Sequence, residues 1–207
     1  MQKSLSCLIG TLIMAGTTTA HAASSVDLNV RGLITPSACE LNFANGGEFD
    51  LGKIAVKDLQ ADSPTDLVEQ NAQLTVTCEG STLVAIESKD NRAGSAYWDG
   101  ANTFGLGLIN GTEKLGNMWV QLRSAVADGA AAYAIHSMDG GLTWATAGYM
   151  RDGNLVSAYT GGTVAPIPVQ VLVAQMRLSP VIAPASGLTL TSEVPIDGSI
   201  TLTAKYL

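Results

Sequence analysis

An all-β sandwich is the fold this sequence predicts. Short segments alternate apolar and polar residues with a period of two, separated by turn residues. No segment of useful length repeats its apolar residues at the helical period. Only 14% of the residues are charged, while 22 are glycine, a balance that suits strands and tight turns.

The chain opens on a leader. Lys3 gives a basic start, residues 5–14 an apolar stretch too short to span a bilayer, and Ala20-His21-Ala22 a small-x-small cleavage site. Residues 1–22 are therefore expected to be a signal peptide removed on export. About 185 residues remain, enough for one domain with a real core. The formal charge of −7 argues against nucleic acid, because phosphate binding needs a basic face. No basic amphipathic helix suggests membrane-surface binding.

Next comes an extended stretch, residues 24–36. Val26, Leu28, Val30, Gly32 and Ile34 fall two apart and share one face, with Asp27, Asn29 and Arg31 on the other. The row ends at Pro36. It reads either as the first edge strand of the sandwich or as a detached strand seeking a groove. Cys7 lies in the leader, so Cys39 and Cys78 remain, and an even count in an exported chain implies one disulfide. Closing a loop of roughly 40 residues would stabilise the fold by about 3–4 kcal/mol in the chain-entropy model. No metal is expected, since His136 is the one histidine beyond the leader and has no ligand-like spacing to the cysteines.

The elements follow in order. Residues 40–43 read as a short strand ended by Asn45-Gly46-Gly47, and residues 49–54 as a second strand weakened by Gly52. Residues 57–71 are polar, carry Pro64 and read as a loop. Residues 73–78 alternate, with Leu74, Val76 and Cys78 on one face, so the disulfide would tie the first strand to this one. Residues 83–88 are the next strand, and 89–102 a loop whose Tyr97 and Trp98 are expected to pack. A strand over 103–109, broken by two glycines, leads to the Asn110-Gly111 hairpin signal. Residues 117–123 alternate Met118, Val120 and Leu122 against Trp119, Gln121 and Arg123. The alanine-rich 125–134 reads as a loop around Asp128-Gly129, 134–137 and 142–147 as strands, and 148–163 as a loop. Residues 169–177 are the most strand-like run, apolar on both faces like a central buried strand. Segments at 188–192 and 199–207 close the chain. About nine or ten strands with turns between them make the sandwich Ig-like in type.

The last segment alternates cleanly: Ile200, Leu202, Ala204 and Tyr206 face one way, Thr201, Thr203 and Lys205 the other. With no partner after it in sequence, one of its edges is expected to need a strand from elsewhere. Together with the apolar row at the other end, this suggests one molecule filling the next one's groove.

On these features the chain resembles chaperone–usher pilins, closest to the β-fimbrial major subunits. The resemblance rests on the leader, the row Val30-x-Gly32-x-Ile34 before Ala38-Cys39, Cys78 ending a strand, and the alternating terminal strand with penultimate Tyr206. Val194 stands where pilins often carry a glycine. The resemblance implies an incomplete, pilin-type Ig-like sandwich over residues 37–207, preceded by a donor-strand extension over 23–36. It implies three partners: a periplasmic chaperone, an outer-membrane usher and neighbouring subunits in a surface fimbria. Ile200, Leu202, Ala204 and Tyr206 would border the groove. Val26, Leu28, Val30, Gly32 and Ile34 of another subunit would fill it, with Gly32 over its shallowest point.

Sequence motifs for chemistry are few. Ser137, Asp139, Gly141, Thr143 and Trp144 complete the S-x-D-x-G-x-T-W pattern, the Asp-box of sialidase-like propellers. It occurs once, and a propeller needs far more chain, so it reads as a structural hairpin with Asp139 accepting backbone N–H groups. His136 and Ser137 are strand neighbours and point apart, which makes a poor catalytic dyad. Asp50, Asp58, Asp62, Asp66 and Glu69 lie in turn or loop contexts, and Gly105-x-Gly107 precedes no helix. No enzyme activity and no cofactor are expected. A structural subunit is the leading expectation; a free periplasmic or tip-located binding module for a glycan or protein is the alternative.

Overall fold

Alternation becomes strands nearly everywhere it occurs. The computed structural model describes residues 30–32 and 38–207. The chain divides into two units, Met1–Ile34 and Thr35–Leu207. In the first, Val30, Arg31 and Gly32 are exposed and carry no strand, and Val30 is 88% accessible. The leader, and Val26, Leu28 and Ile34 of the apolar row, lie outside the described residues.

The larger unit holds thirteen strands: β1 (Cys39–Phe43), β2 (Thr65–Asp66), β3 (Gln70–Thr82), β4 (Val84–Asp90), β5 (Phe104–Gly105), β6 (Leu108–Ile109), β7 (Glu113–Lys114), β8 (Gly116–Ala127), β9 (Ala130–Ser137), β10 (Ala145–Thr146), β11 (Leu155–Tyr159), β12 (Val169–Ile182) and β13 (Ile200–Tyr206). Two 3-10 turns, Val56–Asp58 and Ala185–Gly187, are the helical elements among the described residues. The main path runs β1-β3-β12-β8-β9-β11-β4-β13, all antiparallel. It is an all-β sandwich: β1, β3, β12 and β8 form one layer, β9, β11, β4 and β13 the other. The β8–β9 hairpin crosses between the layers, pairing Ala125–Ala127 with Ala130–Ala132. The path ends on β1 in one layer and on β13 in the other.

Inward rows from both layers fill the core. Leu74 and Val76 of β3, Val120 and Leu122 of β8, and Leu172, Ala174 and Met176 of β12 meet Ile86 of β4 and Val156 of β11. Cys39 and Cys78 are in register and joined by a disulfide, which ties β1 to β3 as expected.

Several sequence expectations change. Residues 49–54 form no strand, because Gly52 sits at φ +66°, outside extended backbone. Phe49 packs edge-on against Phe43 instead, ring centroids 6.2 Å apart. Residues 188–192 form no strand either; Leu188 and Leu190 lie against the core from an irregular path. The alanine-rich stretch is a hairpin rather than a loop. Asp128 and Gly129 both take positive φ (47° and 82°), the two-residue turn whose twist matches flanking strands. Residues 148–163 contain β11, whose Leu155, Val156, Ser157 and Ala158 are buried. Finally, within 169–177 β12 is covered mainly on its inward face: Val171 is 37% exposed while Leu172 and Ala174 are buried.

Candidate functional site: a cleft between β1 and β13

The two terminal strands of the sheet path come together at one point. The Cys39 amide donates to the Tyr206 hydroxyl at 2.9 Å. From there β1 and β13 diverge, and a cleft of about 1100 Å³ opens beside them. Its floor is the inward side chains Met118, Val120, Met176, Leu178 and Ile182; Ile200 and Leu202 form part of its wall.

Both strand edges facing the cleft carry unspent backbone groups. On the β4 side, Leu207 donates to the Leu83 carbonyl and Ser199 accepts from Asn91, so the odd-numbered residues of β13 bond to β4. The strand's period of two then turns the N–H and C=O of Ile200, Leu202, Ala204 and Tyr206 away from β4. β13 has no second strand partner among the described residues. Among the described residues β1 pairs with β3 alone, and its Leu41 and Phe43 follow Cys39 on the outward edge, where the Phe43 carbonyl accepts from the Gly46 amide and the Phe43 N–H is turned out.

Sequence reasoning missed two irregular segments that flank the cleft. One follows β1 and brings Phe49, Leu51, Ile54 and Leu59; the other precedes β13 and brings Leu190, Val194 and Ile196. The second is pinned at both ends. Glu113 accepts from the Thr189 amide at 2.6 Å and from its hydroxyl at 2.8 Å, contacts that with Asn110 hold its carboxyl below the usual range. Asp197 takes a bidentate pair from Arg92 at 2.7 and 2.8 Å, which lowers its pKa and raises that of the guanidinium. Lys53 of the first segment reaches Glu193 of the second at 3.2 Å, an exposed pair of little energetic weight. Apolar residues spaced irregularly between turns were the available signal, and a period search does not register them.

The terminal-strand residues divide in use. Ile200 and Leu202 line the cleft, while Ala204 packs on the core beyond it and Tyr206 bridges to β1. Val30 and Gly32 belong to the other unit.

The Asp-box residues form a hydrogen-bonded hairpin. Asp139 accepts from the Thr143 hydroxyl at 2.6 Å, the Thr143 amide at 2.9 Å and the Ser137 hydroxyl at 2.7 Å. Those bonds hold its pKa down to about 2. The Gly141 amide donates to the Ser137 oxygen at 2.8 Å, and the Trp144 indole N–H caps the Gly141 carbonyl at 3.1 Å. Every polar side chain of the motif is thus engaged within the turn. His136 is half-buried and Ser137 buried, as neighbours on opposite strand faces. Among the described residues no group of three His, Cys, Asp or Glu side chains could hold a metal. No described helix is long and apolar enough to cross a membrane.

Residues 28–117 match the family model described as "Protein of unknown function (DUF1120)", a span containing both cysteines and β1 through β7. The chain is similar to "Uncharacterized protein YhcF" of Escherichia coli K12, 23% identical over 237 aligned positions, which cover 95% of this chain and 98% of that one. It is also similar to "Protein GltF" of the same organism, 29% identical over 116 positions and under half of either chain.

Proposed function

We propose that this protein is a structural subunit of a surface fimbria that polymerises by strand donation. Exported by its leader, it would receive a strand from a periplasmic chaperone and, at an outer-membrane usher, exchange it for the 23–36 segment of a neighbouring copy. One observation carries this reading: an apolar cleft of about 1100 Å³ lies beside an edge of β13 that no strand pairs among the described residues. A strand laid there would meet the turned-out backbone groups of Ile200 and Leu202 on one side, and those of Leu41 with the Phe43 amide on the other; the Phe43 carbonyl already accepts from the Gly46 amide. It would bury its own apolar row on Met118, Val120 and Met176. Four aliphatic side chains at roughly 1.5–3 kcal/mol each give about 6–12 kcal/mol before ordering costs. A new ladder of backbone hydrogen bonds adds to that. The row Val26, Leu28, Val30, Gly32 and Ile34 has the period this requires.

The test is to express residues 23–207 with and without residues 23–35, in the presence of a candidate chaperone. Polymer or chaperone complex from the first, and loss of self-association in the second, is the expected result. A stable monomer indifferent to the deletion would overturn the reading in favour of a free periplasmic binding module.

A further inference from the structure

The outer face of the β1-β3-β12-β8 layer has a chemistry quite unlike the cleft. There three strands set planar polar side chains in register. Asn71, Arg177 and Gln121 make one row, which Tyr149 continues through its bridge to Gln121. Gln73, Gln175 and Arg123 make the next. Beyond them Tyr133 of β9 lies opposite Tyr159 of β11, ring centroids 5.7 Å apart and Tyr133 63% exposed. A shallow cleft of about 670 Å³ joins the rows to the two tyrosines, a size typical of small-ligand sites.

Two backbone features aim these groups. Ser124 holds φ +49° at a register shift, where Ser124 and Ala125 together oppose Ala174. That bulge leaves Arg123 and Ser124 exposed in succession, and both line the cleft. Gly148 rests directly on the Leu122 carbonyl, where a Cβ would collide, and this close approach brings Tyr149 beside Gln121.

The polar capacity here is largely unspent. Among the described residues Asn71, Arg123 and Gln175 have no side-chain hydrogen bond or ion pair. Arg177 is already engaged, with Glu69 at 3.2 Å and Gln121 at 3.1 Å, which leaves Arg123 as the free cation of the site. Amides and guanidinium groups offer paired, coplanar hydrogen-bonding atoms that match neighbouring hydroxyls. Tyrosine faces are electron-rich and pack on C–H groups. A free guanidinium binds a carboxylate through two parallel bonds.

The geometry points to a saccharide-binding site on this face, selective for a sugar that bears a carboxylate. One ring packs on Tyr133 and Tyr159, its carboxylate pairs with Arg123, and its hydroxyls bond to Gln121, Gln175 and Asn71. A chain of net charge −7 repels such a ligand at long range, so the site depends on that local cation. This inference stands apart from strand donation, because none of these residues lines the cleft beside β13.

Calorimetric titration of the exported full-length protein tests it, with trigalacturonate and 3′-sialyllactose as acidic probes and lactose as the neutral control. Binding of at least one acidic probe is expected. Arg123→Gln and Tyr133→Ala, both at exposed positions, should weaken it about 10- to 100-fold, the loss expected for a charge-assisted contact. Unchanged melting curves for the two variants would confine the effect to the site. Three results would overturn the assignment: no binding of any probe, equal affinity for lactose, or acidic-probe binding indifferent to Arg123→Gln.

Discussion

Asp139 shows how a single side chain organises a turn. Its carboxylate is the acceptor at the centre of the 137–144 hairpin, drawing bonds from Thr143 first and Ser137 next. Because those bonds need the charged form, its pKa falls from the usual 3.8 to about 2. A lowered pKa contributes stability above the unfolded value, and that contribution fades as pH drops from about 3.8 to about 2. The Thr143 amide should therefore stay protected from hydrogen exchange at pH 4 and lose protection near pH 2. Asp139→Asn, which removes the charge, should lose the pH dependence altogether. At the same scale the sequence is a good guide: the motif specifies its own internal bonds, since donors and acceptors lie within four residues of one another. Tyr206 is less legible. Its alternation with Ile200 and Leu202 is plain, but its hydroxyl is spent on the Cys39 amide, 167 residues away in sequence.

At the scale of the element, β1 is the strand most dependent on help. It has five residues, a single partner strand among the described residues and only half-buried inward side chains. The Cys39–Cys78 disulfide fixes it at the point where it meets β13. Replacing both cysteines by serine should destabilise the protein by about 2–5 kcal/mol, read as a lower denaturation midpoint. Fraying should concentrate in residues 39–43, visible as faster amide exchange there than in β12. Parts of the long strands were legible: 73–78 of β3 and 117–123 of β8 alternate, and 169–177 of β12 is a dense apolar run. The 125–134 hairpin and β11 were not. Alanine and serine carry little period-two contrast, and their burial comes from partners distant in sequence. Residues 49–54 erred the other way: their apolar content suggested a strand, and one left-handed glycine denied it.

At the scale of the whole molecule, one seam of the sandwich is closed by the β8–β9 hairpin and the other is bordered by β1 and β13. The seam beside β13 is an apolar recess of about 1100 Å³, and its two flanking segments hold further aliphatic side chains over it. A synthetic peptide of residues 24–36 should bind there and raise the melting temperature of protein lacking residues 23–35. At a hundredfold excess over its dissociation constant, the expected stabilisation is about 2.7 kcal/mol. A peptide with Val30 and Leu28 replaced by aspartate should give no shift, because charged groups would have to enter an apolar floor.

Sequence alone determined the fold class, the strand-forming alternation, the disulfide pair and the polar closure of the Asp-box turn. Each depends on residue type and short spacing, which the chain carries locally. Only the tertiary structure decided where β1 and β13 part, which irregular segments wall the cleft, and which amides and tyrosines from five strands meet at the second cleft beside Ser124. Those arrangements are set by registers between strands up to about a hundred residues apart, and register is chosen by packing, which no single segment encodes.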